Sequence, residues 1–475
     1  MRLRHLAGLA TATVITLGIG LPLPAAVAAS AEADPVFASM GIGSTDGPLE
    51  YGVGFDATSP SPIVKKTLDF GDGTVLDVTD QHSATHAYTS EGNYTVTFTA
   101  TDKDGHTGHY SQVIPASYRP TTYTPVPPSR LLDTRQAGHH ALGADQTVTF
   151  KVPSVPTATT PIRPTAVVLN VTAVDNNGAS FLTAYPAGSP RPATSNVNFG
   201  PKQVVPNLVT VPVSADGSVT VYNKAGSADV VVDEFGVYAY RGDYFTAQAP
   251  TRLLDTRTSH RVGPDGEVAI QVAGVNGVPA DATAAVLNVT TTGSDAPSYL
   301  TAYPSGTDRP GTSNLNFTAG QTVANQAIVP IGKDGKVRVY NHSGSTQVIA
   351  DLFGYYGHGA GAQFTATTPK RLVDTRTGKG TPVGPGATLA VPTGVPTGST
   401  GAVLNVTATA PTTPGYLTVF ADKATRPATS NLNFLAGQTV PNHVTTPLGA
   451  NGAFDVYNFN GSTQVIADLF GYFTK

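Results

Sequence analysis

Charged side chains recur at fixed places in three long stretches of this chain, and their spacing makes them the first candidates for chemistry. Each stretch opens with an aspartate and an arginine two residues apart, and closes with one aspartate inside an otherwise apolar run. A buried carboxylate without a cation would be costly. We therefore expect the opening arginine to lie beside the closing aspartate, as a structural charge latch between the first and last strands of each stretch. The predicted latch groups are Asp133, Arg135 and Asp233, then Asp255, Arg257 and Asp351, then Asp374, Arg376 and Asp468.

Two other arrangements of these charges stay open. Asp133 and Arg135 stand two apart, so on an extended strand both face the same way and could simply pair with each other. Alternatively, the opening and closing aspartates of one stretch could converge on a metal ion. The sequence predicts the latch, with no resident metal and no cofactor.

Catalytic chemistry has little support in this sequence. None of the 11 histidines falls at a place that all three stretches share, and neither G-x-S-x-G nor H-E-x-x-H occurs. The absence of cysteine removes thiol nucleophiles and thiolate metal sites. Glycosidases need two carboxylates about 5 to 10 Å apart, which a sequence cannot exclude. We predict a protein that is not an enzyme and has no catalytic residues, with an accessory protein or a weak hydrolase as the second alternative.

Aromatic and amide side chains at recurring positions are candidates for binding sugars. Tryptophan, the usual platform for a sugar ring, is absent. Tyrosine or phenylalanine could replace it, with asparagines as hydrogen-bonding neighbours, although aromatic residues on strands more often belong to a core. The candidate ligand-binding residues are Tyr185, Asn196 and Tyr222, then Tyr303, Asn314 and Tyr340, then Phe420, Asn431 and Tyr457.

Asn170, Asn288 and Asn405 each fit the N-x-[ST] pattern of a glycosylation acceptor. Each lies inside a run that alternates like a strand. We therefore interpret each one as an asparagine on the less buried side of a strand rather than as a modification site.

The amino-acid composition limits which fold classes and which classes of partner fit this chain. Strand-forming residues fill the chain, glutamate occurs at only five positions, and glycine and proline are abundant, which predicts an all-β protein with many tight turns. With 13% charged residues and a net charge of -4, the chain lacks the excess of positive charge that binding to nucleic-acid phosphates requires. A core of its own in each domain explains folding without disulfides.

The N-terminus is typical of a secretory signal peptide. Arg2 and Arg4 precede an apolar stretch, and Ala26-Val27-Ala28 offers small residues at cleavage spacing. We therefore predict that residues 1–33 are removed. The rest should be an extracellular monomer that is not inserted in the membrane, with the cell wall as a candidate place of attachment.

Residues 34–116 form the first predicted domain. Asp69-Phe70-Gly71-Asp72-Gly73 places turn formers between two β stretches, and Gly92 to Ala100 then alternates apolar and polar residues. This segment resembles the PKD domain, which implies an immunoglobulin-like sandwich, although Leu68 stands where that family usually has tryptophan. Asp69, Asp72 and Asp77 could hold calcium, but turns use the same residues, and turns are the preferred interpretation.

Residues 117–128 are a predicted linker that is rich in proline and threonine. After it, one sequence pattern occurs three times, over 129–245, 246–358 and 359–475. Its landmarks are the R-L-L-D-T-R opening, L-N-V-T, T-S-N-L-N-F and a D-L-F-G-Y-Y closing. Each repeat is long enough to be a whole domain, and its short alternating runs predict an antiparallel β-sandwich of about seven to nine strands. The pattern resembles tandem repeats of secreted actinomycete proteins. We expect three separate modules, standing in line with small interfaces.

These observations together predict a secreted, non-catalytic adhesion or scaffolding protein at the cell surface or in the extracellular matrix. Its partner would be a surface protein or an extracellular polysaccharide. The alternative is a carbohydrate-binding protein that recognises cell-wall or environmental polysaccharide.

Overall fold

The computed structural model describes residues 36–377 and 380–475, so the predicted signal peptide lies outside the described residues. Strands that pair antiparallel make up nearly all of the regular structure in these residues, with one short 3-10 turn at Thr256–Thr258. The predicted all-β class is confirmed: an immunoglobulin-like sandwich is followed by three β-sandwich modules.

The first sandwich has two sheets, with strand orders β1-β2-β5 and β4-β3-β6-β7. Alternation places Leu68, Val96 and Phe98 in its core, where Leu68 is fully buried. Leucine therefore fills the site that a tryptophan would occupy. Its strands are β1 (Phe37–Ser44), β2 (Glu50–Thr58), β3 (Ile63–Asp69), β4 (Val75–Asp77), β5 (Ser83–Ala87), β6 (Gly92–Asp102) and β7 (Thr107–Ala116).

Each repeat folds into eight strands in two four-stranded sheets. Module 1 has β8 (Thr122–Asp133), β9 (Thr147–Lys151), β10 (Ala166–Val174), β11 (Ser180–Pro186), β12 (Val197–Phe199), β13 (Val205–Pro212), β14 (Ser218–Asn223) and β15 (Asp229–Ala239). Module 2 has β16 (Tyr244–Asp255), β17 (Gly266–Gln271), β18 (Ala284–Thr292), β19 (Ser298–Pro304), β20 (Leu315–Phe317), β21 (Val323–Pro330), β22 (Lys336–Asn341) and β23 (Gln347–Gly357). Module 3 has β24 (Gln363–Asp374), β25 (Thr388–Pro392), β26 (Gly401–Thr409), β27 (Gly415–Ala421), β28 (Leu432–Phe434), β29 (Val440–Pro447), β30 (Ala453–Asn458) and β31 (Gln464–Thr474).

In module 1 the inner sheet has the order β13-β10-β15-β8 and the outer sheet has the order β12-β11-β14-β9; modules 2 and 3 repeat both orders. The two sheets enclose one apolar core per module. One boundary differs from the sequence prediction. Residues 122–128, expected in a linker, belong to β8, because their backbone pairs with the last strand of the module.

The expectation of modules standing in line with small interfaces is wrong. A further apolar core is shared by all three modules. It is built from aromatic residues of their first and last strands, namely Tyr123, Phe235, Tyr238, Phe245, Phe353, Tyr356, Phe364, Phe470 and Phe473. Phe364 of module 3 stacks on Tyr238 of module 1, with ring centroids 4.1 Å apart, and Phe473 of module 3 lies 4.1 Å from Phe245 of module 2. The modules therefore close into a ring.

The shared core explains the burial of the central strand of each inner sheet. Every residue of β10 is buried: Leu169 and Val171 pack inside module 1, whereas Ala166 and Val168 contribute to the shared core. A strand that is covered on both faces has a nearly continuous apolar sequence, and V-V-L-N-V-T is such a sequence.

A bulge and a glycine in each last strand give access to the shared core. Phe235 is the extra residue of a bulge between β10 and β15, and it packs into the shared core. A Cβ on the following Gly236 would lie 2.2 Å from the Tyr123 hydroxyl oxygen. Glycine is therefore required so that the aromatic ring of the first strand can cross the last strand.

The first sandwich contacts the ring through several polar groups. Arg163 of module 1 pairs with Glu50 at 3.4 Å, and the backbone N–H of Thr368 in module 3 donates to Glu91 at 2.8 Å. Among the described residues, no helix is long and apolar enough to cross a membrane.

Candidate functional site

The recurring charges of module 1 form one alternating row, which we call the Arg–Asp ladder: Arg135, Asp133, Arg130 and Asp233. Arg130 donates from Nε and Nη2 to the two carboxylate oxygens of Asp233, at 2.8 and 3.3 Å, and from Nη1 to Asp133 at 3.1 Å. Arg135 makes a bidentate pair with Asp133, at 2.8 and 2.7 Å. The ladder therefore spans the first and last strands, which lie side by side.

The arginine beside Asp233 differs from the one expected. The spacing predicts Arg135 beside Asp233, whereas the structure places Arg130 there and pairs Arg135 with Asp133, the simpler alternative. The cause is a register shift in β8: Leu132 pairs with Val232 and Arg130 with Asp233, so Leu131 is an extra residue. A bulge breaks the two-residue alternation and brings Arg130 and Asp133 to the same face.

Modules 2 and 3 repeat the ladder with the same correction. Arg252 takes the place expected for Arg257, and Arg371 takes the place expected for Arg376. Arg257 and Arg376 instead pair with Asp255 and Asp374 of their own strands. The distances from Arg Nε to Asp351 and Asp468 are 2.7 and 2.8 Å.

The pKa values of the two carboxylates in a ladder are shifted in opposite directions. Hydrogen bonds from Arg135 lower the pKa of Asp133 to about 2, and those from Arg257 do the same for Asp255. Burial raises the pKa of Asp233 and Asp351 despite their arginine partners. Since an arginine donates to both carboxylates of each ladder, it occupies the place where an ion between them would have to sit.

The recurring Asn196, Asn314 and Asn431 are structural and not available to a ligand. All three are buried, and each Oδ1 accepts a backbone N–H of the neighbouring outer strand, at 2.8, 2.7 and 2.7 Å. Their role is to hold the loop before each of them against the outer sheet.

Asn170, Asn288 and Asn405 were expected on a less buried side of a strand, but they are buried at the module interfaces. The Nδ2 of Asn170 donates to Ser313 of module 2 at 2.8 Å. Asn288 and Asn405 continue the same contact from module 2 to module 3 and from module 3 to module 1. These residues close the ring.

A second set of asparagines covers the free edges of the inner sheets. The edge strands β13, β21 and β29 meet around the centre of the ring. Oδ1 of Asn325 accepts the backbone N–H of Leu208 in module 1 at 3.2 Å, and Asn442 and Asn207 repeat this bond at the other two interfaces. An edge strand with unpaired N–H groups invites aggregation, and here the next module satisfies them.

One polar cluster at the centre of the ring breaks the threefold repetition. Leu208, Gln326 and His443 occupy equivalent positions on the three edge strands. Gln326 Oε1 can only accept, so His443 Nδ1 donates to it at 2.8 Å, and Nε2 accepts from the Thr210 hydroxyl at 3.0 Å. Burial lowers the pKa of His443 to about 3, so this imidazole is neutral.

The candidate sugar-binding aromatics lie on the outer sheets, and most are buried. Tyr185, Tyr303 and Phe420 are less than one-tenth exposed. Tyr222, Tyr340 and Tyr457 are each covered by an arginine: the guanidinium carbons of Arg191, Arg309 and Arg426 lie 4.0, 3.6 and 3.8 Å from the three ring centroids. None of these six candidate rings therefore presents the open face on which a sugar ring could stack.

These three arginines are functional candidates that the sequence argument missed. Each is followed by proline and stands five residues before the buried asparagine of its module, in R-P-A-T-S-N or R-P-G-T-S-N. The recurrence was therefore visible in the sequence, but nothing there indicated a tyrosine partner on a distant strand. Each outer face also carries a half-buried aromatic ring on the neighbouring strand: Phe181, Tyr299 or Tyr416.

The three outer faces differ in their remaining charges. The equivalent positions on the strands that carry the tyrosines hold Thr220, Arg338 and Asp455. Asp145 and Asp265 accept the hydroxyl of the tyrosine in modules 1 and 2. The modules therefore share the arginine on tyrosine but not its surroundings.

Three aspartates of the first sandwich, for which turns were preferred over calcium, do serve turns. Asp69, Asp72 and Asp77 each accept the backbone N–H of the residue two positions later, at 2.8 to 3.0 Å. Asp72 also contacts His86 at 2.7 Å. This is the use of aspartate that tight turns require.

Comparison with known proteins identifies the first domain. Residues 46–114 match the PKD domain model, which confirms the resemblance read from the sequence; antiparallel modules follow it. No curated protein matches this chain.

Solved structures with partial likeness include carbohydrate-binding modules of the β-sandwich superfamily, 12% identical over 44% of this chain and 94% of theirs, with a TM-score of 0.16. SGBP-B of Bacteroides ovatus, solved with a mixed-linkage heptasaccharide, is 12% identical over 88% and 92%, with a TM-score of 0.15. A tetra-tandem repeat of a large adhesion protein is 13% identical over 91% and 99%, with a TM-score of 0.13. At these scores the likenesses carry no argument about function.

Proposed function

We propose that this chain is a secreted, non-catalytic adhesion protein, in which the three-module ring is a rigid platform and the PKD domain is its spacer. The observation that carries the proposal is the ring itself. It presents an arginine on a tyrosine three times, once on the outer sheet of each module, on the side that points away from the shared core. Three arginine–tyrosine pairs on one rigid body gain avidity for a repetitive surface.

The buried polar groups support a structural role for most of the recurring residues. The Arg–Asp ladders join the ends of each module, and the asparagines join the modules. Neither set leaves a carboxylate pair facing an open cleft. This arrangement favours a binding protein over a hydrolase.

Carbohydrate binding is the second candidate function, and the outer faces favour it. Each combines exposed arginine donors with a half-buried aromatic ring, a pairing of polar and apolar contacts that suits a sugar. A glycan on a cell surface would also serve adhesion, so the two functions are compatible.

Sedimentation of the mature chain with insoluble surfaces tests the proposal. We expect it to sediment with intact actinomycete cells, cell walls, chitin or peptidoglycan, and to release no reducing ends from any of them. An unrelated β-sandwich protein of similar size is the control. Failure to bind any surface and any surface protein, or release of sugar, would overturn the proposal.

A further inference from the structure

Arg191, Arg309 and Arg426 differ from the other recurring arginines in having no protein acceptor. All ladder arginines donate to carboxylates. In contrast, the three arginines on the outer faces are exposed, and within residues 36–377 and 380–475 none has a carboxylate oxygen within 4.0 Å or a hydrogen-bond acceptor. In the described part of the chain, the specific contact that each of them makes is with the tyrosine ring beneath it.

This contact leaves the donors of the guanidinium available. A cation–π contact uses the face of the guanidinium plane, whereas the N–H groups point outward from its edge. The tyrosine also restricts the side chain, so less conformational entropy is lost when the edge binds a ligand. In modules 1 and 2 an aspartate in turn fixes the tyrosine by accepting its hydroxyl. The result is a positioned two-pronged donor, repeated three times.

The chemical complement of such an edge is a planar carboxylate, which guanidinium binds through two parallel hydrogen bonds. Beside each tyrosine lies the half-buried ring of the adjacent outer strand. The centroids of Phe181 and Tyr222 are 6.4 Å apart, as are those of Tyr299 and Tyr340. In modules 2 and 3 one face of that ring is stacked on His342 or Phe459. The part of the ring that stays exposed offers an apolar surface to a ligand whose carboxylate is held by the arginine.

We propose that the three outer faces bind the uronic-acid residues of an anionic polysaccharide. A uronic acid carries a carboxylate on a ring whose C–H face is apolar, so one sugar can satisfy both the arginine and the neighbouring aromatic ring. A long chain with many such sugars can reach more than one module of the ring. This inference rests on the proposed function and specifies its ligand.

Titration of the mature chain with soluble polygalacturonate, at an ionic strength of about 0.15 M, tests the inference by isothermal calorimetry. Binding should be lost when the carboxylates are methyl-esterified, because the sugar rings remain but the charge is gone. The triple variant Arg191→Gln, Arg309→Gln, Arg426→Gln should lose about 100-fold in apparent affinity, since all three sites are removed. Each single variant should lose much less.

The matched control removes the same charge elsewhere on the same modules. Lys202, Lys333 and Lys370 are exposed, one in each module, and replacing all three with glutamine changes the net charge equally. This control should keep its affinity within about threefold. Far-UV circular dichroism and the melting temperature establish that both triple variants fold.

Equal losses in the two triple variants would overturn the inference, because the attraction would then depend only on net charge. Undiminished binding to the methyl ester, or tighter binding to polyglycerol phosphate, would also overturn it. The sedimentation assay separates the two proposals. If the arginine variant still sediments with cell walls, the adhesion function stands and only the uronic-acid specificity falls.

Discussion

Replacing Glu234 with leucine should stabilise the ring, and the gain should depend on pH. Glu234 is 3% exposed, and its Oε1 has no hydrogen-bond partner among the described residues. The equivalent positions in modules 2 and 3 hold Leu352 and Leu469, which pack in the module cores. Module 1 therefore carries a carboxyl group where its copies carry an apolar side chain.

The size of the effect follows from the shift in acidity. Burial raises the pKa of Glu234 from 4.5 to about 7. Because the folded pKa is above the unfolded one, the fold tolerates the protonated carboxyl below pH 4.5 and loses stability as the pH rises towards 7. At about 1.4 kcal/mol per pKa unit, the loss is about 3 kcal/mol above pH 7.

Urea denaturation followed by far-UV circular dichroism, at about pH 4 and pH 8, measures this. The quantity to compare is the gain in the free energy of unfolding of Glu234→Leu over the native protein. This gain should be about 3 kcal/mol larger at pH 8 than at pH 4. Glu234→Gln keeps the shape without the charge and should remove most of the same pH dependence. Leu352→Glu should introduce it in module 2. A stability difference between Glu234→Leu and the native protein that is equal at the two pH values would refute the reasoning.

Three further changes probe the ladders, the glycine crossings and the centre of the ring. Arg252→Ala leaves Asp351 buried without its cation, so the free energy of unfolding in urea should fall by about 3 to 5 kcal/mol. Gly354→Ala places a Cβ 2.6 Å from the ring of Phe245, so calorimetry should show a clear fall in melting temperature. The pKa of His443 is lowered to about 3, below its ordinary 6.5, so the ring should lose stability as the pH falls from 6.5 towards 3. His443→Leu places the residue of module 1, Leu208, at this position. Its melting temperature, measured over a series of pH values, should fall less at acid pH than that of the native protein.

Matched variants decide each of these results. Arg257→Ala removes an exposed partner of Asp255 and should cost about 1 kcal/mol or less, so an equal loss in Arg252→Ala would contradict the role assigned to burial. Gly311→Ala adds a Cβ with no atom within 4 Å and should leave the melting temperature unchanged. If Gly354→Ala behaves like Gly311→Ala, the crossing does not need glycine. If the melting temperature of His443→Leu falls at acid pH as much as that of the native protein, His443 is not the cause of the loss of stability.

Local patterns in the sequence predict the strands and their threefold repetition. Alternating runs bounded by glycine, proline and asparagine were enough to predict β-sandwiches, and the motif around Asp69 was enough for the resemblance to PKD. These signals are local, since alternation reflects which face of a strand is covered. The sequence also showed that the buried Asp233 needs a cation, because the cost of an unpaired buried charge does not depend on the fold.

Which side chains meet depends on how the strands pair and how the modules pack. Whether Arg130 or Arg135 reaches Asp233 depends on a bulge at Leu131, and one extra residue reverses the direction of every side chain beyond it. The ring depends on contacts between residues more than a hundred positions apart, such as Asn170 with Ser313. Alternation within a strand reports that a face is covered, but not whether its own module or a neighbour covers it. For that reason the arginines on the outer tyrosines, and the closure of three repeats into one body, became visible only in three dimensions.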